Sequence, residues 1–212
     1  MTESPMVTDS VFLSSPEAAP EDPIVVLERW LAEAKIAVGF PATAMALATS
    51  TPQGDPDVRI VLLQSLQGGG LVFFTNLTSA KGRQLLANPK AAACFHWAEV
   101  GRQVRLRGAV CEVEAHYADE YFASRSRGSQ IGAYASPQST PIVDRTALIR
   151  LADDAGARFA GSAVARPPHW TGLILVPAEI EFWEDGTDRL HDRVLFQRLP
   201  GSMAWTKVRL AP

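Results

Sequence analysis

Apolar positions change their period along this chain, and each change marks a new element. After Asp22-Pro23, the residues Ile24, Leu27, Leu31 and Ala34 recur every three to four positions. That is the stripe of a helix, with Asp to cap it, Pro suited to its first turn and Gly39 near its end. From Ala44 the stripe gives way to short apolar runs, Ala44–Ser50, Val58–Leu66 and Leu71–Thr75. Thr51-Pro-Gln-Gly-Asp-Pro and Gly68-Gly-Gly separate them, and turn residues between apolar runs predict an antiparallel meander. Ser79 can cap a short helix, Ala80–Asn88, which Pro89 stops. Ala91–Trp97 and Gln103–Glu114 read as two more strands. Ala118–Ala135 returns to helical or helix–turn character, and Thr146–Phe159 is a second helical piece closed by Pro167-Pro168. Leu173–Val176, Ile180–Trp183, Arg189–Arg198 and Trp205–Leu210 supply the last strands. About eight strands with turns between them predict a mainly β, barrel-like fold with helical insertions (α+β).

Composition narrows the class. The 212 residues suit one domain over 21–212, preceded by a tail over 1–20 that is rich in Ser, Pro, Thr and Ala and reads as disordered. That tail lacks the basic start and apolar centre of a signal peptide. Apolar residues are 47% and charged residues 20%, ordinary for a soluble protein. A net charge of −3 offers no global attraction to nucleic acid or to an anionic membrane, and no apolar run is long enough to span one. Cys94 and Cys111 have no CxxC spacing and read as buried thiols of a cytosolic protein. The histidines, at 96, 116, 169 and 191, form no HxxxH pair, so a metal site is not expected.

Four short constellations carry candidate chemistry, with Tyr121–Ser139 beside them as the most polar stretch. If that stretch is one helix, Tyr121, Arg125 and Ser129 lie one turn apart on one face. A phenol, a cation and a hydroxyl on one stripe suit a small phosphate; a solvated helix accounts for the spacing equally well. Arg59 opens an apolar strand that runs to Gln64, and strict alternation puts the two on opposite faces unless a bulge intervenes. Lys81 falls in the first turn after Phe74-Thr75 and the Ser79 cap, where backbone N–H groups favour an anion. Gln103 heads a strand in which Arg105 and Arg107 alternate. Arg189, His191 and Arg193, read as one strand, share a face that an anion or Asp185, Asp188 and Asp192 would have to neutralise.

Together and in this order, these motifs resemble the pyridoxamine 5′-phosphate oxidase family. The resemblance runs from about Asp22 to Pro212 and is most specific in Ser-Gln-Ile-Gly-Ala at 129–133, Glu-Phe-Trp at 181–183, Arg-Leu-His-Asp-Arg at 189–193 and Arg-Leu-Ala-Pro at 209–212. It implies an antiparallel FMN-binding split β-barrel, homodimeric, with FMN at the subunit interface. For FMN it implies Arg59 and Lys81 on the phosphate, Ile60, Val61, Leu62 and Leu63 along the isoalloxazine, Phe74 and Thr75 nearby, and Gln103, Gln138, Ser139, Trp183 and Arg193 completing the site. For a small phosphorylated vitamer it implies Tyr121, Arg125 and Ser129 on the 5′-phosphate, Gln64 close by, and Arg189 and His191 as the catalytic pair over the pyridine ring. The chemistry implied is hydride transfer from C4′ of the vitamer to flavin N5, then reoxidation by dioxygen to hydrogen peroxide.

Three positions depart from the family pattern. Gln64 stands where a lysine usually helps hold the substrate phosphate, Ala80 where an arginine is common, and Phe74 where a tyrosine is usual. Hydrogen bonds to charged groups contribute about 1.5–3 kcal/mol against about 1 for neutral ones, so Gln64 implies roughly tenfold weaker phosphate binding or another substrate. The alternatives are a phenazine-biosynthesis-type oxidase of the same fold and a non-catalytic flavin- or vitamer-binding protein.

Overall fold

The first helix forms where the apolar stripe places it. The structure, a computed structural model, describes residues 22–212, and the expected tail over 1–20 lies outside them. Helix α1 is Pro23–Val38. Asp22 Oδ1 accepts the Ile24 N–H at 2.9 Å, and Gly39, at φ +71°, donates its N–H back to Lys35 O. Trp30 joins Leu27, Leu31 and Ala34 on the buried face and meets Phe182 edge-to-face at 5.1 Å. The Arg102 guanidinium lies 4.5 Å over the Trp30 ring and pairs with Glu33 of α1 and with Glu184, the latter at 2.9 Å. This largely buried cation fastens the helix to the sheet.

Among the described residues nine strands make one antiparallel sheet: β1 Ala44–Ser50, β2 Pro56–Leu62, β3 Ser65–Gln67, β4 Gly70–Asn76, β5 Lys90–Trp97, β6 Arg102–Glu112, β7 Trp170–Glu184, β8 Asp192–Arg198 and β9 Trp205–Arg209. The main path is β2-β1-β5-β6-β7-β4-β3, and β8 and β9 branch from β7. One edge of β7 runs along β6. The other is shared: β4 takes Trp170–Leu175 and β8 takes Glu179–Glu184. Helices follow as α2 Ala80–Ala87, α3 Ala115–Ser124, α4 Arg127–Ala135 and α5 Arg145–Arg158. Among the described residues no helix is long and apolar enough to cross a membrane.

The runs expected as two strands, Leu173–Val176 and Ile180–Trp183, are one strand interrupted by a bulge. Arg107 pairs with Glu179 but Gly108 pairs with Pro177, so Ala178 is an extra residue on β7. One extra residue inverts the facing of all that follows. Before it Leu173 and Leu175 point into the core; after it Ile180 and Phe182 do. Glu179, Glu181 and Trp183 are thereby turned to the opposite face. Pro177, which has no N–H, sits where the ladder is already broken. Packing is so close that a Cβ on Gly108 would lie 1.9 Å from the Val176 carbonyl oxygen.

Four further expectations need correction. Val58–Leu66 is not one strand, because the chain changes partner: Leu63 N–H donates to Thr43 O and Gln64 N–H to Val72 O, both at 2.8 Å. Ala118–Ala135 takes the helix–turn form of its two expected ones, so the stripe drawn for a single helix fails. Arg125 is extended at φ −71° and ψ 151°, and Ser126 starts α4 by accepting the Ser129 N–H. Tyr121, Arg125 and Ser129 therefore share no helical stripe. Arg189–His191 precedes the last hairpin rather than opening it: Thr187–Arg189 is a 3-10 turn, with Asp188 and Arg189 at φ +55° and +64°. Finally, Cys94 is only half-buried and Cys111 is exposed.

Gly108→Ala is expected to destabilise the protein by about 3 kcal/mol, the upper range for overpacking against backbone. Urea denaturation measures it; a loss under about 1 kcal/mol would show that the bulge tolerates a side chain.

Candidate functional site

The predicted site residues gather into two clusters. The first is built by β2, β4, the start of α2, and the α3–α4 pair with the loop after it. On β2, Arg59 lies beneath its neighbours: Nη1 donates to Leu47 O at 3.1 Å and Thr49 Oγ1 at 2.5 Å, and Nη2 to Gln84 Oε1 at 3.2 Å. Nη2 also lies 2.5 Å from the Asp57 carboxylate. Ser79 caps α2 from a buried position, its Oγ accepting the Gly82 N–H at 3.2 Å. This sets Lys81 in the first turn, with Nζ 3.0 Å from Gln138 Oε1 and 3.4 Å from Ser79 Oγ. Burial, and then the Arg59 charge, pushes the Lys81 ammonium below its usual range, while Asp57 pulls the other way. Residues far apart in sequence, Arg59, Lys81 and Gln138, thus form one cationic patch. Ser139, next to it, is held at φ +64°, a left-handed conformation that costs a non-glycine residue about 1 kcal/mol or more.

Tyr121 and Arg125 pack on aromatic rings, and Arg125 shares a cavity with Gln138 of this patch. Phe74 of β4 stacks on Tyr121 at 4.1 Å and on Trp170 at 5.0 Å. The Arg125 guanidinium lies 4.9 Å over the Trp170 ring. Arg125 and Ser129, separated by the helix break, nevertheless line one cavity of about 230 Å³ with Asn76, Ser136, Gln138 and Trp170. Among the described residues, one terminal nitrogen of Arg125 is buried without a hydrogen-bond partner, and so is the Thr75 hydroxyl. Burial pushes the Arg125 guanidinium below its usual range against the pull of Tyr121. Gln64 is exposed at the turn out of β2. Along β2, Val61 is half-buried, and Leu63 just after it is buried, whereas Val58, Ile60 and Leu62 are exposed on an edge strand.

The second cluster stands on the face that the bulge turns outward. Gln103 is opposite Trp183, and Trp183 is opposite Arg193, across β6, β7 and β8. Glu181 lies under them, almost fully buried. Its Oε1 accepts from Arg193 Nε at 2.8 Å and its other oxygen pairs with Arg105. Arg193 Nη1 also donates to Ala211 O at 2.8 Å, so the chain end helps hold it. The His191 ring packs on Trp183 with centroids 4.6 Å apart. Arg189 is exposed in its left-handed turn. Among the described residues no hydrogen bond or ring contact joins this cluster to the first. A groove of about 380 Å³ beside Glu181 and Arg105 runs over Ala46, Ala48, Val58, Cys94 and Leu195. No group of three His, Cys, Asp or Glu among the described residues is arranged to hold a metal ion.

Sequence reasoning missed the groups that hold the site cations. Asp57, two residues before Arg59 on one strand, is recoverable from the period of two. Thr49 and Gln84 have no sequence signal, because sheet pairing and the seating of α2 alone bring them to Arg59. For Glu181, burial acts to raise its pKa, but hydrogen bonds from Arg193 and Arg105 outweigh it and hold the carboxyl below the usual range. Its stabilising contribution is therefore present above the unfolded value of about 4.3 and lost as pH falls through the folded one. Glu181→Gln is expected to flatten the loss of Tm between about pH 5 and pH 3; an unchanged acid slope would show that Glu181 does not drive it.

Comparison with known proteins places this architecture. Residues 39–157 match the family model described as pyridoxamine 5′-phosphate oxidase, and residues 170–212 match the pyridoxine 5′-phosphate oxidase C-terminal dimerisation region. The chain is 47% identical over 212 residues, the full length of both, to a pyridoxine/pyridoxamine 5′-phosphate oxidase of Azorhizobium caulinodans. It is 50% identical over 192 residues to the enzyme of the same name from Maricaulis maris, covering 91% of this chain and 86% of that one. Among solved structures, PhzG from Burkholderia lata, in complex with tetrahydrophenazine-1-carboxylic acid, superposes with a TM-score of 0.87 at 35% identity, over 95% of this chain and 96% of that one. A related FMN binding protein from Nostoc punctiforme, 19% identical and covering 90% of this chain and 98% of its own, shares the fold with a TM-score of 0.71. With its sheet, its two clusters and its matched dimerisation region, this chain belongs to the pyridoxamine 5′-phosphate oxidase family.

Proposed function

We propose that this chain is an FMN-dependent oxidase that converts pyridoxamine or pyridoxine 5′-phosphate to pyridoxal 5′-phosphate, working as a homodimer with FMN at the subunit interface. The observation that carries this is the Arg125 cavity, where a guanidinium stacked on Trp170 keeps a buried nitrogen without a partner. An orphaned donor in a polar cavity is costly unless a ligand oxygen completes it.

The residues fit FMN. Arg59 and Lys81 stand close enough for one to depress the other's pKa, a repulsion that a phosphate relieves. The left-handed Ser139 and the open edge of β2 border the same patch. Trp183 and Arg193 lie in the segment matched to the dimerisation region, so a partner subunit is the economical way to bring the second cluster to the first. When bound, FMN supplies the two-electron acceptor that dioxygen then reoxidises, giving hydrogen peroxide. The chain's own part is alignment. Arg125 and Ser129 hold the substrate phosphate, Tyr121 and Phe74 stack beside Trp170 of that cavity, and Arg189 and His191 stand over the reacting ring. A cytoplasmic setting suits the two unpaired thiols, Cys94 and Cys111.

A second reading, a phenazine-type oxidase, is favoured by one observation: the exposed, neutral Gln64 where the family has a lysine. Purified protein should be yellow with bound FMN and release hydrogen peroxide with pyridoxamine or pyridoxine phosphate. FMN bound but turnover only of tetrahydrophenazine-1-carboxylic acid favours the second reading, and a protein unable to take up FMN defeats both. Gln64→Lys is expected to lower KM for the phosphorylated vitamers about tenfold. Arg125→Ala should raise it by about two orders of magnitude with FMN content retained, as expected for a lost charged hydrogen bond. Loss of FMN from Arg125→Ala would place this arginine on the cofactor instead.

A further inference from the structure

His191 is held by more than the Trp183 ring. Its Nδ1 lies 3.0 Å from Asp185 Oδ1, while the Gly186 N–H points at the same nitrogen from 3.3 Å. One nitrogen cannot donate to the carboxylate and accept from the amide at once, so the two contacts favour opposite tautomers. The carboxylate bond is the shorter, and hydrogen bonds to an ionised group are about twice as strong as neutral ones. Asp185 is itself anchored, its own N–H donating to Gly101 O at 2.8 Å. Among the described residues Nε2 of His191 has no hydrogen-bond partner.

We propose that Asp185 is a positioning residue that fixes His191 as the Nδ1–H tautomer and so presents Nε2 as a proton acceptor. The proposal rests on the oxidase reading for its use. Oxidation of the substrate's alcohol or amine removes a hydride equivalent from carbon, taken up by the flavin, and a proton from oxygen or nitrogen. An Nε2 lone pair can accept that proton, whereas an Nε2–H ring cannot. Gly186 N–H is the competitor that would select the unproductive tautomer were the carboxylate absent.

The test reads the ring directly. In the 15N-histidine-labelled holoenzyme, at a pH where the ring is neutral, the His191 signals, assigned by their loss in His191→Gln, report which nitrogen carries hydrogen. Nδ1–H is expected in the native protein, Nε2–H in Asp185→Ala, and restoration of Nδ1–H in Asp185→Asn, which keeps an acceptor oxygen. An Nε2–H native ring, or an Asp185→Ala ring unchanged, overturns the proposal. Kinetically, Asp185→Ala should lower kcat about two- to fivefold, in keeping with an exposed pair, with KM nearly unmoved. A change confined to KM would assign Asp185 to substrate binding and overturn it too. If neither vitamer is oxidised, the functional reading fails, but the tautomer measurement still decides the role of Asp185.

Discussion

One extra residue, Ala178, governs this structure. A strand has only two faces, and inserting one residue exchanges them from that point onward. In β7 the exchange lets one continuous strand serve two pieces of core. Leu173 and Leu175 point inward before it, Ile180 and Phe182 after it. It also falls where the strand's second edge passes from β4 to β8. The branching of the sheet and the outward display of Glu181 and Trp183 are therefore the same event. Without the bulge, Glu181 would point into the Phe182–Phe196 core, an ionised group with no partner.

Cations are placed with care around this frame. Arg102 is neutralised by Glu33 and Glu184, Arg193 and Arg105 share Glu181, and Arg59 has Asp57 beside it. Each is held in place by the carboxylates it pairs with. Arg125 is different. It packs on aromatic rings and keeps a buried nitrogen unpartnered. Arg125 is set apart from these by a donor still unused among the described residues, a distinction that charge counting alone does not make.

Much of this was legible in the residues. The stripe of α1, the Ser79 cap and the β1–β2 hairpin express local rules, and they appear as expected. What failed depended on long-range partners. Nothing local reveals that Leu63 and Gln64 leave β1 for β4, or that Pro177-Ala178 bulges instead of turning. Arg125 shows the limit best. Helical spacing placed it with Ser129 for a reason that proved wrong, since Ser126 starts a new helix between them. The two still share a cavity, because the break lets Arg125 lie back across Trp170. Asp185 was legible as a carboxylate that could neutralise the Arg189–His191–Arg193 segment, and it does pair with His191. Gln84 was invisible, because its role comes only from what the folded sheet brings near.

The edge strand β2 has a consequence for the life of the chain before assembly. Val58, Ile60 and Leu62 are exposed in alternation on a strand with one unpaired edge. An apolar strand with one unpaired edge is a template for adding any other strand, so a newly made single chain is exposed to aggregation as long as that edge stays uncovered. Solubility of this protein is then tied to its concentration and rate of synthesis. Dilution or slow expression lengthens the time each chain spends alone, and assembly acts as the last step of folding.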